Sequence, residues 1–169
     1  MSLLVAIDQG TTSTRTVAFD RYLNVIHSEQ KEYFLNYPKD GWVEIEPDEL
    51  MASVHNTLGP VLEACEDIIA LGITNQRETT LVWDASTGRP IYNAIVWQDR
   101  RTAEDCMRLK KDGYEEIIKN KTGLLLDPYF SATKISWILD NVDGARTKAA
   151  NGELRFGTVD SYLLWQLSE

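Results

Sequence analysis

Two short stretches of this chain bring together side chains that can do chemistry. The first is "DQGTTSTR", Asp8 to Arg15. Gly10 lets a backbone approach an anion closely, Thr11, Thr12, Ser13 and Thr14 offer hydroxyl donors, and Arg15 adds positive charge, a set suited to phosphate. Asp8, at the carboxyl end of an apolar run, is placed to hold Mg²⁺ through water, because magnesium keeps much of its hydration shell. The stretch is not a Walker-type loop, which would read G-x-x-x-x-G-K-[ST] and lead into a helix; here a single glycine leads into a second strand. Asp, Gly, Ser and Thr are also ordinary turn residues, so taken alone the stretch reads first as a plain β-turn. The second stretch, "NQRETT", Asn75 to Thr80, sets Arg77 beside Glu78 between two apolar runs. As a solvated turn pair these charges would contribute roughly 0 to 1 kcal/mol.

The elements that must position these stretches follow from periodicity. "LLVAIDQG" and "TRTVAFDRYLNVIHSEQKEYF" read as one buried strand, a turn and two further strands. A helix follows "NYPKDGWVEIEP", with Pro47 near its first turn and Asp48 and Glu49 at the positive end of its dipole. Leu50, Val54, Leu58, Val61, Leu62 and Cys65 fall on one face of it. Gly59 and Pro60 interrupt the pattern, yet the apolar face continues beyond them, which predicts a helix kinked near residues 56 to 60 rather than ended there. "IIALGITNQ" and "TLVWD" read as strands joined through the Arg-Glu pair, and "AIVWQ" as another strand. A helix from about Thr102 to Asp112 has a capping-box spacing to Asp105 and ends at Gly113. Another begins with Ser131 as its cap and carries Ile135, Ile138, Leu139 and Val142 inward, and "TVDSYLLWQLSE" is amphipathic. Strands followed by alternating helix and strand predict an α/β fold.

Composition narrows the function classes. At 169 residues, with 43% hydrophobic and 25% charged residues, the chain is domain-sized and of globular composition. A net charge of -9 and the lack of any long basic run argue against nucleic acid and membrane surfaces, though not against ATP held with a metal and local donors. The apolar start "LLVAI" runs straight into Asp8, which is the pattern of neither a signal peptide nor a membrane span. Cys65 and Cys106 lack metal-ligand spacing and fit reduced thiols, so a cytoplasmic setting is expected. His27 and His55 have no partner pattern and read as structural. Arg100, Arg101, Lys134 and Trp42 read as solvated or packing residues.

"VAIDQGTTSTR", "GITNQRETTLVWD", "PIYNAIVWQDRRTAE", "TGLLLDPYFSATK" and "GELRFGTVDSYLLW" together resemble the amino-terminal part of the FGGY carbohydrate kinases, in particular their glycerol-phosphorylating branch. The resemblance runs through nearly all 169 residues. It implies an incomplete ribonuclease-H-like (actin-like ATPase) domain with a mixed sheet flanked by helices, residues 1–169 forming the first part of the first kinase domain. It also implies MgATP as phosphoryl donor, glycerol as acceptor, sn-glycerol 3-phosphate as product, and a homo-oligomeric full-length protein. On this basis Asp8 serves Mg²⁺, and Thr11, Thr12, Ser13 and Arg15 serve the ATP phosphates. Arg77 and Glu78 read the hydroxyls, Trp97 lies against the carbon chain and Tyr129 adds a further polar contact. The chemistry agrees: a polyol hydroxyl both donates and accepts, so a donor-only group beside an acceptor-only group selects it. The family's general base, an aspartate, is expected beyond residue 169, with the adenosine half of the cleft. Two rivals stay open, a related kinase of a sugar such as xylulose or gluconate, and a binding module of the same fold without turnover.

Overall fold

The computed structural model describes residues 2–168. In chain order the elements are β1 (Leu3–Gln9), β2 (Ser13–Phe19), β3 (Val25–Glu32), β4 (Glu44–Ile45), α1 (Pro47–Ala64), β5 (Ile68–Asn75), β6 (Thr80–Asp84), β7 (Ala94–Ile95), α2 (Ala103–Lys111), α3 (Tyr114–Thr122), α4 (Ser131–Asn141), α5 (Ala145–Ala150), β8 (Leu154–Thr158) and α6 (Val159–Leu167). They form two compact units, one of Met1–Leu35, Ile45–Arg77 and Val159–Glu169, the other of Asn36–Glu44 and Glu78–Thr158.

The first unit is built on a mixed sheet of order β3-β2-β1-β5. β1 runs antiparallel to β2 in the register Leu4↔Phe19 to Gln9↔Thr14, and parallel to β5 from Leu3↔Ile68 to Gln9↔Asn75. Leu3, Val5 and Ile7 of β1 are buried, as the alternation of a strand requires. α1 covers β2 with Leu50, Val54, Leu58 and Val61, joined by two buried hydroxyls one helical turn apart, Ser53 and Thr57. These meet the i, i+2 pair of β2: Thr14 and Ser53 are 2.6 Å apart, and Thr16 donates to Thr57 at 2.9 Å. Strand and helix periods thus match, and four hydroxyls are buried with partners. As the sequence predicts, α1 continues through Pro60 to Ala64. Leu62, expected on the inner face, is instead 47% exposed, because the helix needs only its Leu58–Val61 ridge against the sheet.

The second unit has a sheet of order β4-β7-β6-β8, with β6 antiparallel to both β7 and β8. Its core is Val82, Ile95 and Ile138, with Ile91, Tyr92, Ile135, Trp137, Val142 and Leu154 packed around them. Several sequence expectations change here. "AIVWQ" contributes only the two strand residues of β7, since the chain turns at Val96, whose N–H is taken up by Val43 O at 3.0 Å. Thr102 precedes α2 but makes no capping bond, its hydroxyl lying 2.8 Å from that of Thr133. Ser131 is the first helical residue of α4, not its cap, and its hydroxyl is engaged elsewhere. α3, α5 and β8 were not anticipated. α3 buries no residue and so shows no apolar stripe; left-handed glycines frame it, Gly113 at φ 86° and Gly123 at φ 75°.

Candidate functional site

In the first unit, β1 and β2 close a hairpin over Gly10 to Thr12. The Gly10 N–H donates to Ser13 O at 2.9 Å, and a Cβ at Gly10 would lie 3.2 Å from that oxygen, so a side chain there would crowd the turn. The Gly10 carbonyl faces inward, where it accepts from Gln9 Nε2 at 2.7 Å, from Gln76 Nε2 at 3.0 Å and from the Tyr33 hydroxyl. Gln9 and Gln76 are buried, and burial pushes the Tyr33 phenol up to about 12. The Gln76 N–H also donates to Gln9 O at 2.7 Å, fastening the end of β5 to the hairpin. Gln76 was visible within "NQRETT", but this propping role was not, because it depends on partners 43 and 67 positions away.

Of the residues assigned to phosphate, Thr12 and Arg15 are exposed while Thr11 and Ser13 are partly buried. Asp8 stands directly opposite Arg15 in the strand register, and both are exposed. The Asp8 side chain makes no hydrogen bond or ion pair among the described residues, an exposed carboxylate compatible with a magnesium ion that keeps most of its waters. Among the described residues no three His, Cys, Asp or Glu side chains gather as an all-protein metal cage.

In the second unit three of the four residues assigned to the polyol converge. Trp97 and Tyr129 meet edge to face with centroids 5.9 Å apart, and Tyr129 meets Phe130 at 5.1 Å. Glu78 lies beside them, its Oε2 accepting from the N–H of Ser131 at 3.0 Å and from its hydroxyl at 2.8 Å. A carboxylate at the first turn of α4 also meets the positive end of that helix. The Glu78 backbone is left-handed, φ 65°, which costs a residue with a side chain about 1 kcal/mol or more. Its carbonyl accepts from Thr80 Oγ1 at 3.0 Å and from Lys134 Nζ at 3.2 Å, and Lys134 also donates to Tyr129 O at 2.5 Å. Lys134 is fully buried, and burial pulls its ammonium down to about 8 against the attraction of Glu78, Asp99 and Asp127. The fourth residue, Arg77, belongs to the first unit, is exposed, and makes no side-chain hydrogen bond among the described residues.

The loop that carries Trp97 is anchored by Arg101. Its guanidinium is bidentate to Asp99 at 2.9 and 2.8 Å, reaches Glu44 at 2.8 Å, and lies over the rings of Trp42 at 3.9 Å and Trp137 at 4.5 Å. Burial opposes its charge, and the hydrogen bonds it donates to Asp99 and Glu44 more than offset this, raising its pKa. Arg101 and Trp42 are therefore packing residues, whereas Arg100 is exposed and pairs with Asp127 at 3.2 Å. His27 pairs with Glu29 at 2.9 Å on β3, and His55 is exposed. No helix among the described residues is long and apolar enough to cross a membrane.

Residues 3–169 match the family model described as the FGGY family of carbohydrate kinases, N-terminal domain. The chain is similar to a glycerol kinase of Alteromonas mediterranea, 58% identical over 170 residues, covering 98% of this chain and 34% of that protein. A glycerol kinase of Rhizobium rhizogenes is 57% identical over 169 residues, with 98% and 34% covered. The chain thus spans about a third of the length of the curated relatives it matches. Among solved structures, Plasmodium falciparum glycerol kinase with ADP superimposes with a TM-score of 0.92 at 35% identity, over 98% of this chain and 34% of that one. Gluconate kinase from Lactobacillus acidophilus, 21% identical with a TM-score of 0.86 over 97% of this chain and 32% of that one, shares the fold. That fold is α/β, of the actin-like ATPase type, with a mixed sheet and flanking helices.

Proposed function

Because the chain belongs to the FGGY family of carbohydrate kinases, we propose that it is the amino-terminal part of an ATP-dependent glycerol kinase, which phosphorylates glycerol to sn-glycerol 3-phosphate in the cytoplasm as a homo-oligomer. The observation that carries this reading is the grouping of Glu78, Trp97 and Tyr129: a fixed carboxylate acceptor beside an aromatic corner. Small-molecule sites are typically lined in this way, by apolar walls with a few oriented polar groups. Glu78 would accept from a glycerol hydroxyl, Trp97 would lie along the carbon chain, Tyr129 would offer its phenol, and Arg77 would donate to a second hydroxyl.

At the hairpin, Thr11, Thr12, Ser13 and Arg15 would bind the ATP phosphates and Asp8 would hold Mg²⁺ through its waters. The ion, when bound, neutralises charge on the transferring phosphoryl group. The contribution of these residues is otherwise positional, holding donors toward the phosphates and presenting the acceptor hydroxyl, as phosphoryl transfer demands. The proton of that hydroxyl would pass to an aspartate outside residues 1–169.

The test is coupled ADP release by a full-length kinase in which these 169 residues form the amino-terminal part. Glycerol-dependent turnover, with xylulose and gluconate at least tenfold poorer in kcat/KM, is the expected result; preference for either sugar overturns the assignment. The 169-residue chain alone should release no ADP. Robust turnover by that chain, with intact mass excluding contaminating longer enzyme, would mean the base lies within it.

A further inference from the structure

We propose that Ser131 and Lys134, one turn apart at the start of α4, are positioning residues that set the orientation of Glu78 toward the acceptor substrate. The inference rests on reading Glu78 as a glycerol ligand. Neither residue is placed against substrate. The two act on different ends of the same residue. Ser131 takes the carboxylate, giving both its N–H and its hydroxyl to Oε2, at 3.0 and 2.8 Å. Oε1 receives no hydrogen bond among the described residues, so the clamp engages one carboxylate oxygen and leaves the other as an acceptor. Lys134 takes the backbone, donating to the carbonyl of Glu78 at 3.2 Å and to that of Tyr129 at 2.5 Å.

One buried ammonium therefore ties two segments 51 positions apart that each carry a proposed glycerol contact. Its burial argues for a specific duty. A fully desolvated lysine is unfavourable unless its donors are used, and here they are spent on carbonyls rather than on a carboxylate partner. A chain needing only volume at this point would be better served by methionine or leucine. The Glu78 backbone supplies the reason: it is left-handed, and a carbonyl tethered from both Thr80 and Lys134 holds that conformation in place.

The experiment uses the full-length kinase. Wild type is assayed first, and failure to phosphorylate glycerol defeats the functional reading itself, not this inference. Lys134→Met and Ser131→Ala are then compared with Ile138→Ala, a core substitution on the same helix, at a temperature where thermal melting shows all of them folded. KM for glycerol should rise at least tenfold in Lys134→Met and about threefold to tenfold in Ser131→Ala, with KM for ATP within twofold of wild type. Ile138→Ala should leave both KM values within twofold despite its lower Tm. Should Lys134→Met fail to fold, Ser131→Ala, which removes only a hydroxyl, decides the matter alone. An unchanged glycerol KM in Ser131→Ala and in any folded Lys134 variant overturns the proposal, as does an equal rise in Ile138→Ala, which would mark general loosening of α4.

Discussion

Charge at the proposed acceptor site is handled residue by residue. Glu78 keeps its carboxylate against a helix start, so Glu78→Gln, which puts an amide where two donors already point, should weaken glycerol binding by about 1.5 to 3 kcal/mol. Arg77→Ala should cost roughly 1 to 3 kcal/mol by removing the donor half of the pair. Titration calorimetry on the full-length kinase checks both, and ATP affinity should hardly move. Lys134 makes a separate, pH-dependent prediction. Its folded-state pKa lies near 8 against an ordinary 10.5, so the unfolded chain binds the proton more tightly. The associated stability is therefore fully present above about 10.5 and is lost as pH falls through 8. Urea midpoints between pH 7 and 10 should show this gain in wild type and its absence in Lys134→Met. Of the site, the side-chain types of Arg77, Glu78, Trp97 and Tyr129 were legible, because donor, acceptor and aromatic residues announce themselves in short motifs. Lys134 was not, since a lysine in a helical stretch looks the same whether it faces water or two carbonyls brought from 5 and 56 positions away.

At the scale of elements, strands that alternate and a helix opened by Pro47 could be read directly, while elements that bury little could not. β8 pairs along all of β6 from Thr80↔Thr158 to Asp84↔Leu154, yet Arg155 and Phe156 are exposed, so its pattern gives no clear period. The capping-box spacing at Thr102 was present and unused, because the partly buried hydroxyl of Thr133 on α4 competes with the backbone N–H. The β2–β3 turn offers an engineering test. There Asp20 gathers the N–H groups of Tyr22 at 2.8 Å and Asn24 at 2.9 Å, which forces Leu23 to φ 65° with 70% of its surface exposed. Leucine is poorly suited to that region and asparagine tolerates it. Leu23→Asn should raise stability by about 0.5 to 1 kcal/mol in chemical denaturation, and an unchanged midpoint would show the turn to be relaxed.

For the molecule as a whole, the first unit ends its sheet on β5, where Ile69 is 68% and Leu71 40% exposed. Beside it, Leu58, Leu71, Ile73, Leu164 and Leu167 line an open groove of about 490 Å³. An apolar edge of this kind pairs readily with other chains. The isolated 169-residue chain should associate as concentration rises from about 10 to 100 μM in light scattering, and Leu71→Lys should suppress it. The net charge of -9 would otherwise keep copies apart and would equally repel a nucleotide triphosphate. Against that background the orientation of one peptide group matters. The three side chains that hold the Gly10 carbonyl inward also turn the other end of the same trans peptide, the N–H of Thr11, outward. Gln9, Gln76 and Tyr33 thus choose the polarity of that peptide: its oxygen is held among them and its hydrogen is aimed away, an attractive pole on a repulsive molecule.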